Sequence, residues 1–130
     1  MKILVLKTDG PSTYIGVYDD QKCIAELRWE SGRELARDLL SKIIELLHSV
    51  DKSIEILEGI VCYSGPGSFT SLRIGITVAN TFAYAQNIPI VSATDEQWIA
   101  EGVDSLLAGV NGKIIAPFYG AEPNITLQKK

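Results

Sequence analysis

The sequence is poor in the residues that build metal sites, disulfide frameworks and membrane spans. It contains one histidine and two cysteines among 130 residues, whereas disulfide scaffolds and zinc sites need several such side chains. Its apolar runs, such as residues 60–62, are far shorter than the roughly 18 residues of a membrane span. Basic residues are not in excess, because 12 Lys and Arg stand against 16 Asp and Glu. We therefore expect no metal, no membrane contact and only indirect contact with nucleic acid.

The composition that is present is typical of one globular domain. Hydrophobic residues make up 46% and charged residues 22%, and a mass of 14.2 kDa is enough for a real core. The apolar start, residues 1–6, is followed at once by polar residues without a cleavage pattern, which predicts a strand and a cytoplasmic protein. We expect a domain over residues 1–116 and a tail over 117–130. Cys23 and Cys62 lie in apolar, strand-like surroundings and are expected to stay free.

The order of predicted elements indicates an α/β fold. Residues 31–50 form the clearest helix, for which Ser31 and Glu34 have the spacing of a capping box. A second helix over residues 70–86 and a weaker one over 94–107, with Thr94 as its N-cap, are predicted. Strands are expected at residues 3–6, 14–18, 23–29, 57–63, 89–91 and 113–116. Three antiparallel strands followed by crossovers give a mixed sheet covered by helices, as in a ribonuclease H-like domain of the actin-like ATPase superfamily.

The glycine-rich loop between the fourth strand and the second helix is the most specific motif. Gly65 and Gly67 permit backbone angles closed to other residues, Pro66 fixes the bend, and Ser68, Thr70 or Ser71 could cap the helix. A Walker loop would need a lysine, and a dinucleotide loop a glycine where Thr70 stands. A structural turn is therefore favoured over a phosphate site, and no cofactor is expected.

Catalytic residues are not expected either. No base lies close in sequence to Ser68 or Thr70, and His48 falls on the polar side of its helix, where it is solvated. A ribonuclease H-like nuclease needs a third carboxylate beside Asp9 and Glu34 or Asp38. The fourth strand ends in Tyr63 and Ser64 instead, which argues against a nuclease.

Residues 60–75 carry a resemblance to a known family. The string is similar to the signature Gly-Pro-Gly-Ser-Phe-Thr-Gly-Leu-Arg-Ile-Gly of the TsaB (YeaZ) family, bacterial accessory proteins of tRNA threonylcarbamoyladenosine synthesis, and only Ser71 departs from it. The match continues through Ala79 and residues 87–92. Residues 117–119 and 123–126 resemble the family's C-terminal tail.

Two departures qualify what the resemblance implies. Family members usually begin with a strand that ends Asp-Thr-Ser, and here Lys7, Thr8 and Asp9 stand in its place, so a lysine replaces an acidic residue and independent catalysis is less expected. The family's second domain is missing between Val91 and the tail, which implies a minimal version with one domain.

The second helix is apolar around most of its circumference, which is typical of a helix buried on two sides. One side can rest on the sheet, and the other must meet the first helix or another chain; tight packing within the chain is an equally open interpretation. Arg73 forms either a surface ion pair or a partner contact. The predicted partner interface consists of Leu39, Ile43, Leu47, Phe69, Leu72, Arg73, Gly75, Ile76, Ala79, Phe82 and Ala83.

The resemblance implies a non-catalytic scaffold or activator subunit. Its two helices would pair with two from TsaD, the related catalytic subunit that transfers the threonylcarbamoyl group to tRNA, and it would help to recruit the ATPase TsaE. One alternative is a small actin-like ATPase that holds phosphates between residues 8–10 and 65–67. Another is a homodimeric module that binds some other protein.

Overall fold

The computed structural model describes residues 1–116, so the predicted tail over residues 117–130 lies outside the described residues. In that part of the chain, five strands and three α-helices follow one another, with short 3-10 turns at Gly32–Glu34 and Ile54–Ile56. The elements are β1 (Lys2–Lys7), β2 (Ser12–Asp19), β3 (Lys22–Glu30), α1 (Leu35–His48), β4 (Gly59–Tyr63), α2 (Phe69–Gln86), β5 (Ile90–Ala93) and α3 (Trp98–Leu107). No helix over residues 1–116 combines the length and apolarity needed to cross a bilayer.

The strands form one mixed sheet in the order β3-β2-β1-β4-β5. The first three strands pair antiparallel, while β4 pairs parallel to β1 and β5 parallel to β4. Central β1 is buried on both faces, with Ile3, Val5 and Leu6 at 0% exposure. A strand covered on both faces needs a continuous apolar run rather than an alternating one, which explains the sequence of β1. The predicted mixed sheet of the ribonuclease H-like fold is confirmed.

Helices cover both faces of the sheet. Helices α1 and α2 pack against each other on one face, α1 over β2 and β3 and α2 mainly over β4. Helix α3 packs on the opposite face, where Gly102 lies against Val61. Gly75 of α2 lies against Thr8 so closely that any Cβ at this position would collide with the Thr8 hydroxyl. The glycine therefore sets how closely α2 approaches the end of β1.

The predicted capping box at the start of the first helix is wrong. The Ser31 hydroxyl lies 2.6 Å from the Thr13 hydroxyl and donates to the Pro11 carbonyl oxygen at 3.2 Å, so it is used inside the fold. Glu34 instead pairs with Arg37 at 2.9 Å. Because the chain enters through the 3-10 turn after Ser31, the α-helix itself begins only at Leu35.

The capping predictions for the other two helices also fail. Ser68 occupies the N-cap position of α2 but its side chain makes no capping hydrogen bond, and Thr70 and Ser71 lie within the helix. The Thr94 hydroxyl donates to Asp95 at 3.3 Å, and α3 begins later than predicted, at Trp98. Residues 94–97 form a connection in which Asp95 adopts a positive φ of 66°.

The strand predicted at residues 113–116 does not form. The Asn111 side-chain oxygen accepts the backbone N–H groups of Ile90 and Lys113, and the Gly112 N–H donates to the Ile90 carbonyl oxygen at 2.7 Å. Lys113 has a positive φ of 65°. The Asn80 side-chain amide then donates to the Ile115 carbonyl oxygen and accepts the Ile115 N–H. Local side-chain hydrogen bonds thus replace a strand ladder.

The two cysteines have different surroundings. Both are free, as expected, and Cys62 is fully buried, which raises the pKa of its thiol to about 12. Cys23 is exposed on β3, so its predicted apolar surroundings are not observed. The strand that carries it lies at the edge of the sheet, where one side is open to solvent.

Candidate interaction site between two helices

A continuous groove runs between α1 and α2 on the side facing away from the sheet. Its two halves enclose about 400 Å³ and about 410 Å³ and share Ala36, Thr77 and Val78. The half near the start of α2 is lined by Ala36, Phe69, Thr70, Arg73, Ile74, Thr77 and Val78. The other half is lined by Ala36, Leu40, Ile54, Thr77, Val78, Thr81, Phe82, Ala85 and Gln86. A mainly apolar groove of this size is typical of a binding surface.

The groove exists because each helix carries more apolar side chains than the sheet can cover. On α1, Leu35, Leu39 and Ile43 recur every four residues and are buried at 0–1% exposure. Ala36 and Leu40, one position later, face the groove, and Leu40 remains 48% exposed. Helix α2 likewise carries two rows of apolar side chains: a buried row, and a second row beside it that contains Ile74 and Val78. Two adjacent rows on one helix point about 100° apart, so one sheet face covers only the first.

The structure places most of the predicted interface residues in the interior. Within residues 1–116 their side chains are covered by the chain itself, at 0–7% exposure: Leu39, Ile43, Leu47, Leu72, Ile76, Ala79, Phe82 and Ala83. Gly75 is buried against Thr8. Only Phe69 and Arg73 of the predicted set are exposed. The prediction that these two helices meet a partner therefore rests on the groove residues rather than on the buried row.

Phe69 and Arg73 form the entrance to the groove. Phe69 is 51% exposed at the first position of α2, and the Arg73 guanidinium carbon lies 5.1 Å from the centroid of its ring. A guanidinium over an aromatic face is held by the ring quadrupole and keeps its hydrogen-bond donors on the outer side. This end of the groove thus exposes an aromatic ring together with a positive charge.

Charged side chains on the exposed side of α1 pair with one another. The Arg37 guanidinium donates two hydrogen bonds to Asp38, at 2.8 and 3.1 Å, and also contacts Glu34. The hydrogen bond from Arg37 lowers the pKa of Asp38, and the bond to Asp38 raises the pKa of Arg37. These groups compensate each other on the surface, and none of them lines the groove.

The structure brings together the two loops of the alternative phosphate site. A Cβ on Gly67 would overlap Asp9, and the Ser68 N–H donates to the Asp9 carbonyl oxygen at 2.8 Å. The Tyr63 hydroxyl donates to the Pro66 carbonyl oxygen at 2.8 Å. In a phosphate-binding loop the N–H groups at the helix start point to the anion. Here the Ser68 N–H is already bonded within the chain, to the Asp9 carbonyl oxygen.

Lys7 neutralises the only carboxylate of this loop pair. Its ammonium group lies 3.8 Å from Asp9 and 4.5 Å from the centroid of the Tyr63 ring. Burial is the main cause that raises the pKa of Tyr63.

In the part of the chain that the structure describes, His, Cys, Asp and Glu nowhere form a cluster of three that could hold a metal.

His48 lies where the sequence predicts it, exposed in the last turn of α1. It borders a shallow depression of about 170 Å³ whose other lining residues are Ile44, Leu47, Ser53, Ile54 and Glu55. Ile54 also lines the groove, so the depression and the groove are adjacent.

Sequence analysis missed five residues that line the groove. They are Ala36, Leu40, Ile54, Thr77 and Val78. A signal was available, because the apolar arc of α1 is wider than one sheet face requires. Its surplus positions, one residue after each core position, identify Ala36 and Leu40.

Comparisons with known proteins match the middle of the chain. Residues 30–108 match the model of a family described as "TsaD: tRNA N6-adenosine threonylcarbamoyltransferase". The chain is 30% identical over 100 residues to the tRNA threonylcarbamoyladenosine biosynthesis protein TsaB of Bacillus subtilis, an alignment that covers 77% of this chain and 44% of the relative. The chain therefore spans less than half the length of this curated relative.

Solved structures share the fold. YeaZ from Pseudomonas aeruginosa superposes with a TM-score of 0.66 at 24% identity, over 72% of this chain and 44% of YeaZ. RuvC from Thermus thermophilus superposes with a TM-score of 0.54 at 13% identity, over 84% of this chain and 70% of RuvC. At these identities the likeness concerns the fold alone.

Proposed function

Since the chain belongs to the TsaB (YeaZ) family, within the proteins that the TsaD model describes, we propose that it is a partner subunit in the synthesis of threonylcarbamoyladenosine in tRNA. Its role is to dock on a TsaD-like catalytic subunit and to hold that subunit in an active state. The groove between α1 and α2 is the docking surface. The single observation that carries this proposal is the apolar, open character of that groove.

The groove suits a partner that presents helices. Ala36 and Leu40 on α1 and Ile74 and Val78 on α2 form two parallel apolar rows. Two helices from another chain could fill the space between these rows and complete a four-helix arrangement. Leu40 at 48% and Phe69 at 51% exposure would lose most of their contact with water in such a complex.

A related subunit is the partner that fits this geometry. The matched family model spans α1, α2 and α3, so a TsaD-like protein is expected to carry equivalent helices. Two homologous surfaces can then meet around a pseudo-twofold axis, as equivalent surfaces do in isologous dimers. Arg73 at the groove entrance would meet a carboxylate or carbonyl oxygen of the partner, because its guanidinium is exposed beside the Phe69 ring.

Chemistry and tRNA binding belong to other subunits in this proposal. The loops at the ends of β1 and β4 are joined by a backbone hydrogen bond, and the Lys7 ammonium group forms an ion pair with the Asp9 carboxylate. A net charge of −4 disfavours primary binding of tRNA, so contact with tRNA is indirect. Recruitment of a TsaE-like ATPase would follow formation of the complex rather than precede it.

Co-purification with the TsaD-like subunit of the same organism tests the proposal. We expect Val78→Asp to abolish association, because it places a charge in the shared centre of the groove. Tyr84→Asp is the matched control: Tyr84 is 89% exposed on the same helix but does not line the groove. Association unaffected by Val78→Asp would reject the groove.

Calorimetry with ATP and magnesium separates this proposal from the ATPase alternative. We expect no tight binding and no hydrolysis, since the Ser68 N–H is already bonded to Asp9. Tight binding accompanied by hydrolysis would overturn the scaffold role.

A further inference from the structure

Strand β3 leaves one complete edge of the sheet open. It is the outermost strand, with Lys22–Glu30 paired only to β2, and within residues 1–116 no strand pairs with its other side. At nine residues it is long for an exposed edge, and open edges of this kind can pair with another strand.

The register shows which backbone groups point outward. The Ser31 N–H donates to the Pro11 carbonyl oxygen, and Trp29 lies opposite Thr13 two positions further along. Hydrogen-bonded pairs alternate in an antiparallel ladder, so Trp29 and Leu27 bond to β2. Glu26, Arg28 and Glu30 therefore direct their N–H and C=O groups away from the sheet.

Two opposite charges stand on this edge in fixed positions. The Tyr14 hydroxyl donates to the Glu26 carboxylate at 2.6 Å, and the Arg28 guanidinium carbon lies 4.7 Å from the centroid of the Tyr14 ring. Both side chains are exposed and project from the same face of β3. Contacts with Tyr14 restrict their rotamers before any partner arrives, which lowers the entropy lost on pairing.

Charge complementarity selects one partner and one register. If a second β3 runs antiparallel with Leu27 opposite Leu27, then Glu26 of each copy faces Arg28 of the other, and both pairs are attractive. A shift by one side-chain step in either direction places Glu26 opposite Glu26 or Arg28 opposite Arg28, which is repulsive. Charges usually protect an edge from pairing, but this alternation allows one self-complementary arrangement.

We propose that a second copy of this chain pairs antiparallel along β3, so that the two sheets become one continuous sheet across a twofold axis. Each Glu26–Arg28 pair then also exchanges both backbone hydrogen bonds, because these residues carry the outward groups. On the opposite face, Leu27 meets its own copy on the axis, and the half-buried Trp29 meets Ala25. This contact lies on a different surface from the groove, so each copy could still bind a partner.

Charge reversal and its rescue test the proposal. The variants are Glu26→Arg, Arg28→Glu and the double exchange Glu26→Arg/Arg28→Glu, compared with the unmodified chain by sedimentation velocity over a concentration series. We expect the unmodified chain to dimerise and each single variant to dimerise about tenfold more weakly, since two attractive pairs become repulsive. The double exchange should restore dimerisation, and circular dichroism verifies that each variant is folded.

A disulfide locates the axis. In a Cys23→Ser background, Leu27→Cys should cross-link two copies on mild oxidation, because residue 27 faces itself at a non-hydrogen-bonded pair with Cα atoms about 4.5 Å apart. Ala25→Cys is the matched control, since residue 25 faces residue 29 and should cross-link far less.

Every outcome decides the question. A monomer at all concentrations overturns the proposal, and so does a dimer that charge reversal leaves intact. A dimer that Val78→Asp dissociates would use the helix groove instead of β3 and would equally overturn it. Failure of the unmodified chain to bind a TsaD-like subunit, with the β3 dimer intact, would reject only the proposed function.

Discussion

Helix α2 carries two rows of apolar side chains that differ in burial. Leu72, Ile76 and Ala79 face the sheet at 0–4% exposure, whereas Ile74 and Val78 face the groove and stay half-buried. The two rows are similar in composition, so hydrophobicity alone does not distinguish the face that packs on the sheet from the face that lines the groove. What differs is what lies opposite: a sheet for one row, and solvent beside a neighbouring helix for the other.

The largest expected effect comes from a substitution on the side of α2 that packs against the sheet. Gly75→Val should destabilise the fold by about 3 kcal/mol or more, because its side chain would collide with Thr8 and disturb the hydrogen bond from the Thr8 hydroxyl to the Ser71 carbonyl oxygen. Chemical denaturation measures the change. Gly10→Ala serves as the control, since nothing lies within 4 Å of a Cβ there, and it should change stability little. Equal effects at both glycines would contradict the close approach of α2 to β1.

Truncation compares the two rows directly. Leu72→Ala should cost about 3 kcal/mol, because Leu72 is fully buried and its removal leaves a cavity. Ile74→Ala should cost about 1 kcal/mol, because its side chain already contacts solvent on the groove side. Urea unfolding of both variants gives the comparison. Similar losses of stability would mean that Ile74, on the groove side, is as deeply buried as Leu72, on the sheet side.

Thiol reactivity tests burial without changing the sequence. Cys62 is buried, with the pKa of its thiol raised to about 12, whereas Cys23 is exposed. An alkylating reagent near pH 8 should therefore modify Cys23 and spare Cys62 in the folded protein, and should modify both in denaturant. Mass spectrometry of the digested protein identifies the modified site. Rapid modification of Cys62 under native conditions would show that the sheet interior opens.

The smallest effect concerns the polar side of α1. The hydrogen bond from Arg37 lowers the pKa of Asp38 in the folded protein, so the contribution of Asp38 to stability is present above its unfolded pKa. It is lost as pH falls through the folded value. The stability difference between the unmodified chain and Asp38→Asn should shrink below the usual aspartate pKa of about 3.9. A difference that grows with acidity would reverse the sign of this argument.

The fold was predictable where the sequence patterns reflect long-range burial. Central β1 is a continuous apolar run because it is buried on both faces, and the loop at Gly65 and Gly67 joins β4 to α2 as expected. Capping was not predictable, because the Ser31 hydroxyl bonds to Thr13 on another strand instead of to its own helix. Residues 113–116 have a strand-like composition, but the side chains of Asn111 and Asn80 determine their path.

The groove was predictable as a surplus of apolar residues on the two helices but not residue by residue. A helical wheel shows that α2 is apolar on several sides, yet it does not show which side meets the sheet. The predicted interface therefore includes Leu72 and Ala79, which are in the core, and omits Thr77 and Val78, which line the groove. Tertiary packing supplies the missing information, since the position of Gly75 against Thr8 fixes the rotation of α2.

Calorimetric titration of the TsaD-like subunit into this chain tests the central claim most directly. We expect the unmodified chain and Tyr84→Asp to bind with the same affinity, and Leu40→Asp to bind at least about a hundredfold more weakly, since the complex would bury a charge in the apolar groove. Leu40 is 48% exposed, so the free variant should remain folded, which circular dichroism can verify. Unchanged binding by a folded Leu40→Asp variant would contradict the docking role of the groove.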